Sequence, residues 1–188
     1  MNRRQWVYAA SSMAAAGLIG SQGAIGAPES NTDSDLPKGA RVPVMKFVYD
    51  CDATLLPAIP FGDTLEGTRR IIPITGGTVK GPRIRGEVLN IGADWNLSRK
   101  DGASSVEAAY YLRTDDGVII RVVNKGVGAM SAPPGKADDA EPFFMFTTPV
   151  FEAPAGKYDW LNHSIFVATL GARRKAQNAV LIRVFQVV

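Results

Sequence analysis

The chain has 188 residues, 46% hydrophobic and 21% charged, with one cysteine and one histidine. That composition fits one packed globular domain and excludes a disordered chain, a disulfide scaffold and a multi-cysteine metal site. The formal charge of +3 does not argue for a nucleic-acid partner: past residue 26 the balance is 19 basic against 18 acidic side chains, with no basic run interleaved with aromatics.

The first 26 residues have the order of a bacterial export signal. Arg3 and Arg4 give a positive start, Trp6 to Ile19 is apolar and small, and Ala24-Ile25-Gly26 offers a small-residue cleavage site. Arg3-Arg4-Gln5-Trp6 also fits a twin-arginine signal, so both export routes stay open. The apolar stretch is short for a membrane span, so no stable membrane anchor is expected after processing. Residues 27–41 read as a flexible leader, polar and flanked by Pro28 and Pro37. The expected location is the periplasm or the exterior.

Residues 42–188 read as one all-β domain. Short β-branched and aromatic runs recur between Gly, Pro, Asn and Asp, and no helical period is sustained. Strands are expected over Val44–Tyr49, Arg70–Thr75, with Pro73 marking an edge, bulge or bend, and Pro82–Leu89. Trp95–Arg99, Val106–Thr114 and Val118–Asn124 follow. They are joined by Asp101-Gly102 and Asp116-Gly117, which supply the positive φ of tight hairpin turns, so these three form an antiparallel meander. Residues Gly126–Glu141 read as a long loop, and Phe143–Phe151, Ser164–Leu170 and Val180–Val188 as further strands, with a helical turn at Asp159-Trp160-Leu161. About eight to ten strands without a charged edge favour a closed barrel, with a β-sandwich as the alternative.

Candidate chemistry lies in polar residues within these apolar strands. No nucleotide-binding motif is present, and His163 alone cannot supply a metal centre, so no cofactor or metal is expected. Cys51 reads as a buried structural thiol. Arg83, Arg85 and Glu87 share one strand face, as do Glu107, Tyr111 and Arg113, whereas Arg121 and Asn124 fall on opposite faces. Turned inward, these groups would have to pair, Glu87 with Arg113 for example, and would line a polar cavity. Turned outward, they decorate a wet surface. On the inward reading Asp94 or Glu87 serves as general base and Tyr111 as acid or oxyanion donor. Arg113 and Asn162 then stabilise developing charge, and Trp95, Arg121 and Asn124 contact the ligand.

Several of these segments carry a family resemblance. Gly67–Thr78 (GTRRIIPITGGT), Gly81-Pro82, Gly86-Glu87-Val88, Gly92-Ala93-Asp94-Trp95, Tyr111–Gly117 (YLRTDDG), Thr147-Thr148-Pro149 and Trp160-Leu161-Asn162 resemble domain of unknown function 3237, the UPF-0311 family. The resemblance spans Val44 to Val188. It implies a compact antiparallel barrel of the allene-oxide-cyclase and dirigent type. Such barrels hold apolar, often oxygenated small molecules and steer cyclisation, isomerisation or elimination without a cofactor. Thr148 joins the candidate ligand contacts on this ground. Members often carry arginine just before the Thr-Thr-Pro segment; here Phe146 stands there, implying a more apolar pocket. The expected function is a small-molecule-binding barrel, a cofactor-independent lyase or isomerase acting on a small apolar or aromatic compound. The alternative is a non-catalytic exported ligand-binding or oligomeric structural barrel, in which copies of the chain form a homo-oligomer.

Overall fold

The computed structural model describes residues 36–128, 143–172 and 178–188. The expected signal over 1–26 and most of the leader lie outside them, as do residues 129–141 of the expected loop. Among the described residues from 42 onward the architecture is nearly all strand: β1 (Met45–Leu55), β2 (Ile59–Asp63), β3 (Gly67–Lys80), β4 (Arg85–Arg99), β5 (Ser104–Thr114), β6 (Ile119–Gly128), β7 (Phe143–Glu152), β8 (Ile165–Ala172) and β9 (Ala179–Val187). A short 3₁₀ helix over Asp159–His163 stands between β7 and β8, where the helical turn was expected.

Every pairing is antiparallel, in the spatial order β1-β9-β8-β7-β6-β5-β4-β3, and β1 also pairs with β3. That last pairing closes an eight-stranded barrel. β2 is an extra strand that continues the line of β1 along the other half of β3. The join lies at Leu56, whose N–H donates to the Pro73 carbonyl at 3.0 Å. Pro73 stands where the β3–β4 register shifts, the irregularity its missing N–H predicts.

The expected meander is present, and Gly102 and Gly117 both take φ near +84° in its turns. Two differences from the sequence reading have physical causes. The strands expected at Pro82–Leu89 and Trp95–Arg99 are halves of one long β4, bent rather than broken between them. There β4 takes four steps, Val88 to Gly92, against two on β5, so Leu89-Asn90-Ile91 stand against Tyr111 alone and form a bulge that turns the barrel wall. Residues Gly126 to Gly128, expected as loop, extend β6, because Gly126 pairs with both Val106 and Thr147.

Closure depends on close backbone approach. Gly77 holds φ +141° opposite Ala53, and a Cβ at this position would collide with the Asp52 carbonyl oxygen. The inner face is apolar and filled: Val48, Tyr49, Cys51, Ile120, Val122 and Val184 are each at most 1% exposed. Phe151 sits edge-on to Phe166 at 4.7 Å and to Tyr49 at 6.2 Å. Burial pushes the Cys51 thiol up to about 12, which makes it an inert core residue.

The end of the barrel near the 3₁₀ helix is tied shut. Tyr158 Oη donates to Asp116 Oδ1 at 2.9 Å, Thr114 Oγ1 donates to the same oxygen at 2.6 Å, and Lys157 Nζ reaches Oδ2 at 2.7 Å. These bonds, Lys157 first, hold the Asp116 carboxyl well below the usual carboxylate range. Arg83 stacks 3.5 Å over the Trp160 ring.

Gly77→Ala should destabilise the barrel by more than about 4 kcal/mol in urea unfolding. Gly102→Ala, also at positive φ but with open space around it, should cost about 1–2 kcal/mol. Equal costs would show that the β1–β3 approach is not what holds the wall together.

Candidate functional site

Strand parity separates the sequence-named residues into two groups. On β5 the inward positions are Ser104, Val106, Ala108, Tyr110, Leu112 and Thr114, all buried. Glu107, Tyr111 and Arg113 therefore face out. Glu87 pairs with Arg113 across the β4–β5 ladder and shares that outer face, as does Arg121, opposite Tyr111. The convergence of charged groups on an enclosed chamber does not occur for Glu87, Tyr111, Arg113 and Arg121. Alternation sends their Cβ atoms outward whenever the apolar set turns in. The expected Glu87–Arg113 ion pair does form, with Arg113 Nε 2.8 Å from Glu87 Oε1, but both side chains are about half exposed. Arg121 reaches Glu152 at 3.4 Å, likewise in water.

Asn162 is committed elsewhere. Its amide accepts from the Ala153 N–H at 2.8 Å and donates to the Ala153 carbonyl at 2.9 Å, standing in for a strand partner beside β7.

Asp94 and Asn124 do point inward. Asp94 pairs with Ala108, and Ala108 with Asn124, so the three share one inner row. Arg70 and Asn96 form the next pair toward the end away from the 3₁₀ helix. Asp94 Oδ1 accepts from the Glu107 backbone N–H at 3.0 Å and Oδ2 from the Asn96 amide at 3.3 Å, while Asn96 Oδ1 accepts from Arg70 Nε at 2.8 Å. Burial pushes the Asp94 carboxyl up from its usual value, outweighing the lowering by these bonds and by the Arg70 charge. Asn124 is 1% exposed, and its Oδ1, like the buried Thr147 Oγ1, takes no hydrogen bond among the described residues.

The open concavity lies on the opposite side of the same wall. A groove of about 800 Å³ runs over the outer face of β3 to β7, lined by Arg69, Trp95, Leu97, Glu107, Lys125 and Thr148, with Leu65 and Glu66 of the β2–β3 turn along one side. It brings together two sequence-named residues, Trp95, 43% exposed, and Thr148, whose hydroxyl donates to the Lys125 carbonyl at 3.3 Å. Leu97 faces out by parity yet is 6% exposed, which makes it the apolar floor. Three ion pairs border it: Arg69–Glu66 at 3.0 Å, Arg99–Asp101 at 2.6 Å and Lys125–Glu107 at 2.7 Å. Lys100 lines it too and tips the rim to net positive.

Sequence reasoning missed Arg69, Leu97 and Lys125. Register is the signal that would have found them: Leu97 lies opposite both Arg69 and Ser105, and Lys125 lies between Glu107 and Thr148. Phe146 belongs to the outer face of β7, 63% exposed, so the arginine it replaces would also stand outside the barrel.

The chain is similar to known proteins along the whole barrel. The UPF0311 protein RPA1785 of Rhodopseudomonas palustris is 34% identical over 148 residues, 76% of this chain and 95% of that one. The crystal structure of RPA1785 superposes with a TM-score of 0.69, covering 79% of this chain and 100% of the other. A protein described as β-barrel-like, ABAYE2633 from Acinetobacter baumannii AYE, matches at 30% identity and TM-score 0.69, over 81% of this chain and 100% of its own. The hydroalkoxylation enzyme phnH of Penicillium herquei is 25% identical over 121 residues, 64% of this chain and 70% of that protein. The family model described as "Protein of unknown function (DUF3237)" matches residues 43–187, the entire closed barrel, and the chain belongs to that family.

Proposed function

We propose that the chain is a small-molecule-binding barrel whose ligand, a small apolar or aromatic compound bearing oxygen, lies over Trp95 in the outer groove. The observation that carries this reading is one juxtaposition. A half-exposed indole, the apolar floor of Leu97 and an ion-paired, net positive rim share a concavity of the size that takes a small ligand. The indole supplies a rigid face and the rim orients an oxygen. The run from Arg3 through Ile19 supports placing this barrel in the periplasm or outside the cell.

A second reading makes the chain a cofactor-independent lyase or isomerase. Two observations favour it: the relative named as a hydroalkoxylation enzyme, and the raised carboxyl of Asp94 in the same inner row as the unpartnered Asn124 Oδ1, with Ala108 between them. Hydroalkoxylation adds an O–H across a carbon–carbon double bond. A protonated carboxyl gives its proton to carbon and regains one from the hydroxyl, so atoms and charge balance without a cofactor. Asp94 faces in and Trp95 faces out, so single substitutions separate the two readings.

Trp95→Ala should weaken binding of a phenolic ligand panel at least tenfold, read by calorimetry, because the stacking face is lost. Unchanged affinity would remove the groove from the proposal. Asp94→Asn should leave that affinity intact. On the catalytic reading it should lower turnover, followed by mass spectrometry, by roughly a hundredfold or more. A bound compound recovered unaltered by the unsubstituted protein at every pH would leave binding alone.

The stability of the same variant carries a signed pH dependence. A carboxylate whose folded pKa lies above its unfolded value of about 3.9 is fully tolerated below that value, and costs stability as pH rises through the folded one. The melting temperature of Asp94→Asn relative to the parent should therefore climb as pH is raised from about 3 to 7. A difference that falls with pH would show that the hydrogen bonds to Asp94 outweigh its burial.

A further inference from the structure

The outer face of β1, β9 and β8 carries an apolar surface that neither site uses. Register lines it up in two rows: Met45 beside Val187 beside Ile165, and Phe47 beside Phe185 beside Val167. Phe47 and Phe185 meet edge-on at 6.0 Å. The β7–β8 register, Thr147 opposite Ala168, carried on by three residues brings Val150 alongside Ile165. Ile165 is 72% exposed, Val150 67%, Met45 48% and Phe47 41%. No charged side chain stands in either row. In the next row toward the opposite end, Arg183 and Asp50 neutralise each other through two bonds of 2.8 and 2.9 Å.

We propose that this face is the interface between two copies of the chain. Its extent supports that occupant. The exposed area of Ile165, Val150, Met45 and Phe47 comes to roughly 430 Å² per copy, the size of the largest apolar patch on a soluble protein and about half of the ~800 Å² that each partner gives to a standard interface, and the partly exposed Val167, Phe185 and Val187 add to it. Its chemistry agrees, because an uncharged centre bordered by a closed ion pair has the anatomy of a protein interface and offers nothing to a charged partner. Its shape agrees as well. Three adjacent strands present a twisted sheet face, and two such faces pack about a twofold axis with each Ile165 seated on the apolar rows of the other copy. The proposal is independent of the reading of the groove, which meets this face only at β7, and of Asp94, which faces the interior on β4.

Sedimentation velocity of the full chain, across concentrations from nanomolar to tens of micromolar, tests it. The expected result is a species of twice the chain mass at micromolar concentration. Ile165→Lys should raise the dimer dissociation constant at least a hundredfold and leave the melting temperature of the barrel within a few degrees. Ile91→Lys, on the exposed β4 bulge, should leave the dimer unchanged. A parent chain that stays monomeric at tens of micromolar overturns the proposal. So does an Ile165→Lys dimer as tight as the parent, and so does dissociation by Ile91→Lys alone. If Ile165→Lys fails to fold, Val150→Lys on the neighbouring strand is expected to dissociate the dimer, and a tight Val150→Lys dimer overturns the proposal equally.

Discussion

The pairing of β1 with β3 is the constraint on which the rest of the molecule depends. An open eight-stranded sheet would expose unpaired backbone along two edges, and closure removes both at once. It also fixes which side of every strand is inside. Once Cys51 and Ala53 of β1 face the core, the ladder sends Val79 of β3, Val88 of β4, Leu112 of β5 and Ile120 of β6 inward too. The charged residues between them are committed to the outside by the same step. Gly77 is where this geometry is most demanding, because two backbones approach there with no room for a side chain.

What the sequence made legible follows from how local each signal is. The Asp-Gly turns at Asp101-Gly102 and Asp116-Gly117 specify their hairpins within four residues, and the meander they imply is present in full. Pro73 announces an irregularity, and one is there. Signals that need a distant partner were not readable. β2 is five residues containing Pro60 and Gly62, and it is a strand only because the N-terminal half of β3 offers it a ladder. The bend in β4 looked like a gap because Asn90, Gly92 and Asp94 read as breakers, whereas the neighbouring strand turns them into a bulge.

The site was legible to a different degree. Alternation correctly grouped Glu107, Tyr111 and Arg113 on one face, but a period of two cannot say which face is inside. The deciding information is the apolar set on the other parity, Val106 to Leu112, whose burial outweighs any pairing the charges could achieve indoors. Asp94 escapes this rule for a local reason. Its carboxylate takes the Glu107 N–H, so it enters the wall as a backbone partner as much as a side chain.

Where chemistry can take place follows from the filling. The middle of the barrel holds Tyr49, Ile120, Val122 and Val184 with almost no exposed surface, so it has no room for a ligand of several rings. The end at the 3₁₀ helix is bolted by the three donors on Asp116 and by Arg83 on Trp160. For the proposed ligand this leaves the opposite end, where Arg70, Asn96 and Asp94 succeed one another along the inner wall, and the outer groove at Trp95. These two places are back to back across a single strand: Asp94 and Trp95 are consecutive, one facing in and one facing out. Substrate seated at either one would pull on the same stretch of β4, whose ladder to β5 has no paired residues between Asp94 and Leu97. The Asp94 carboxyl itself fills part of that gap by accepting the Glu107 N–H, so the inward-facing acid and the ladder beside the outward-facing indole are joined through one hydrogen bond.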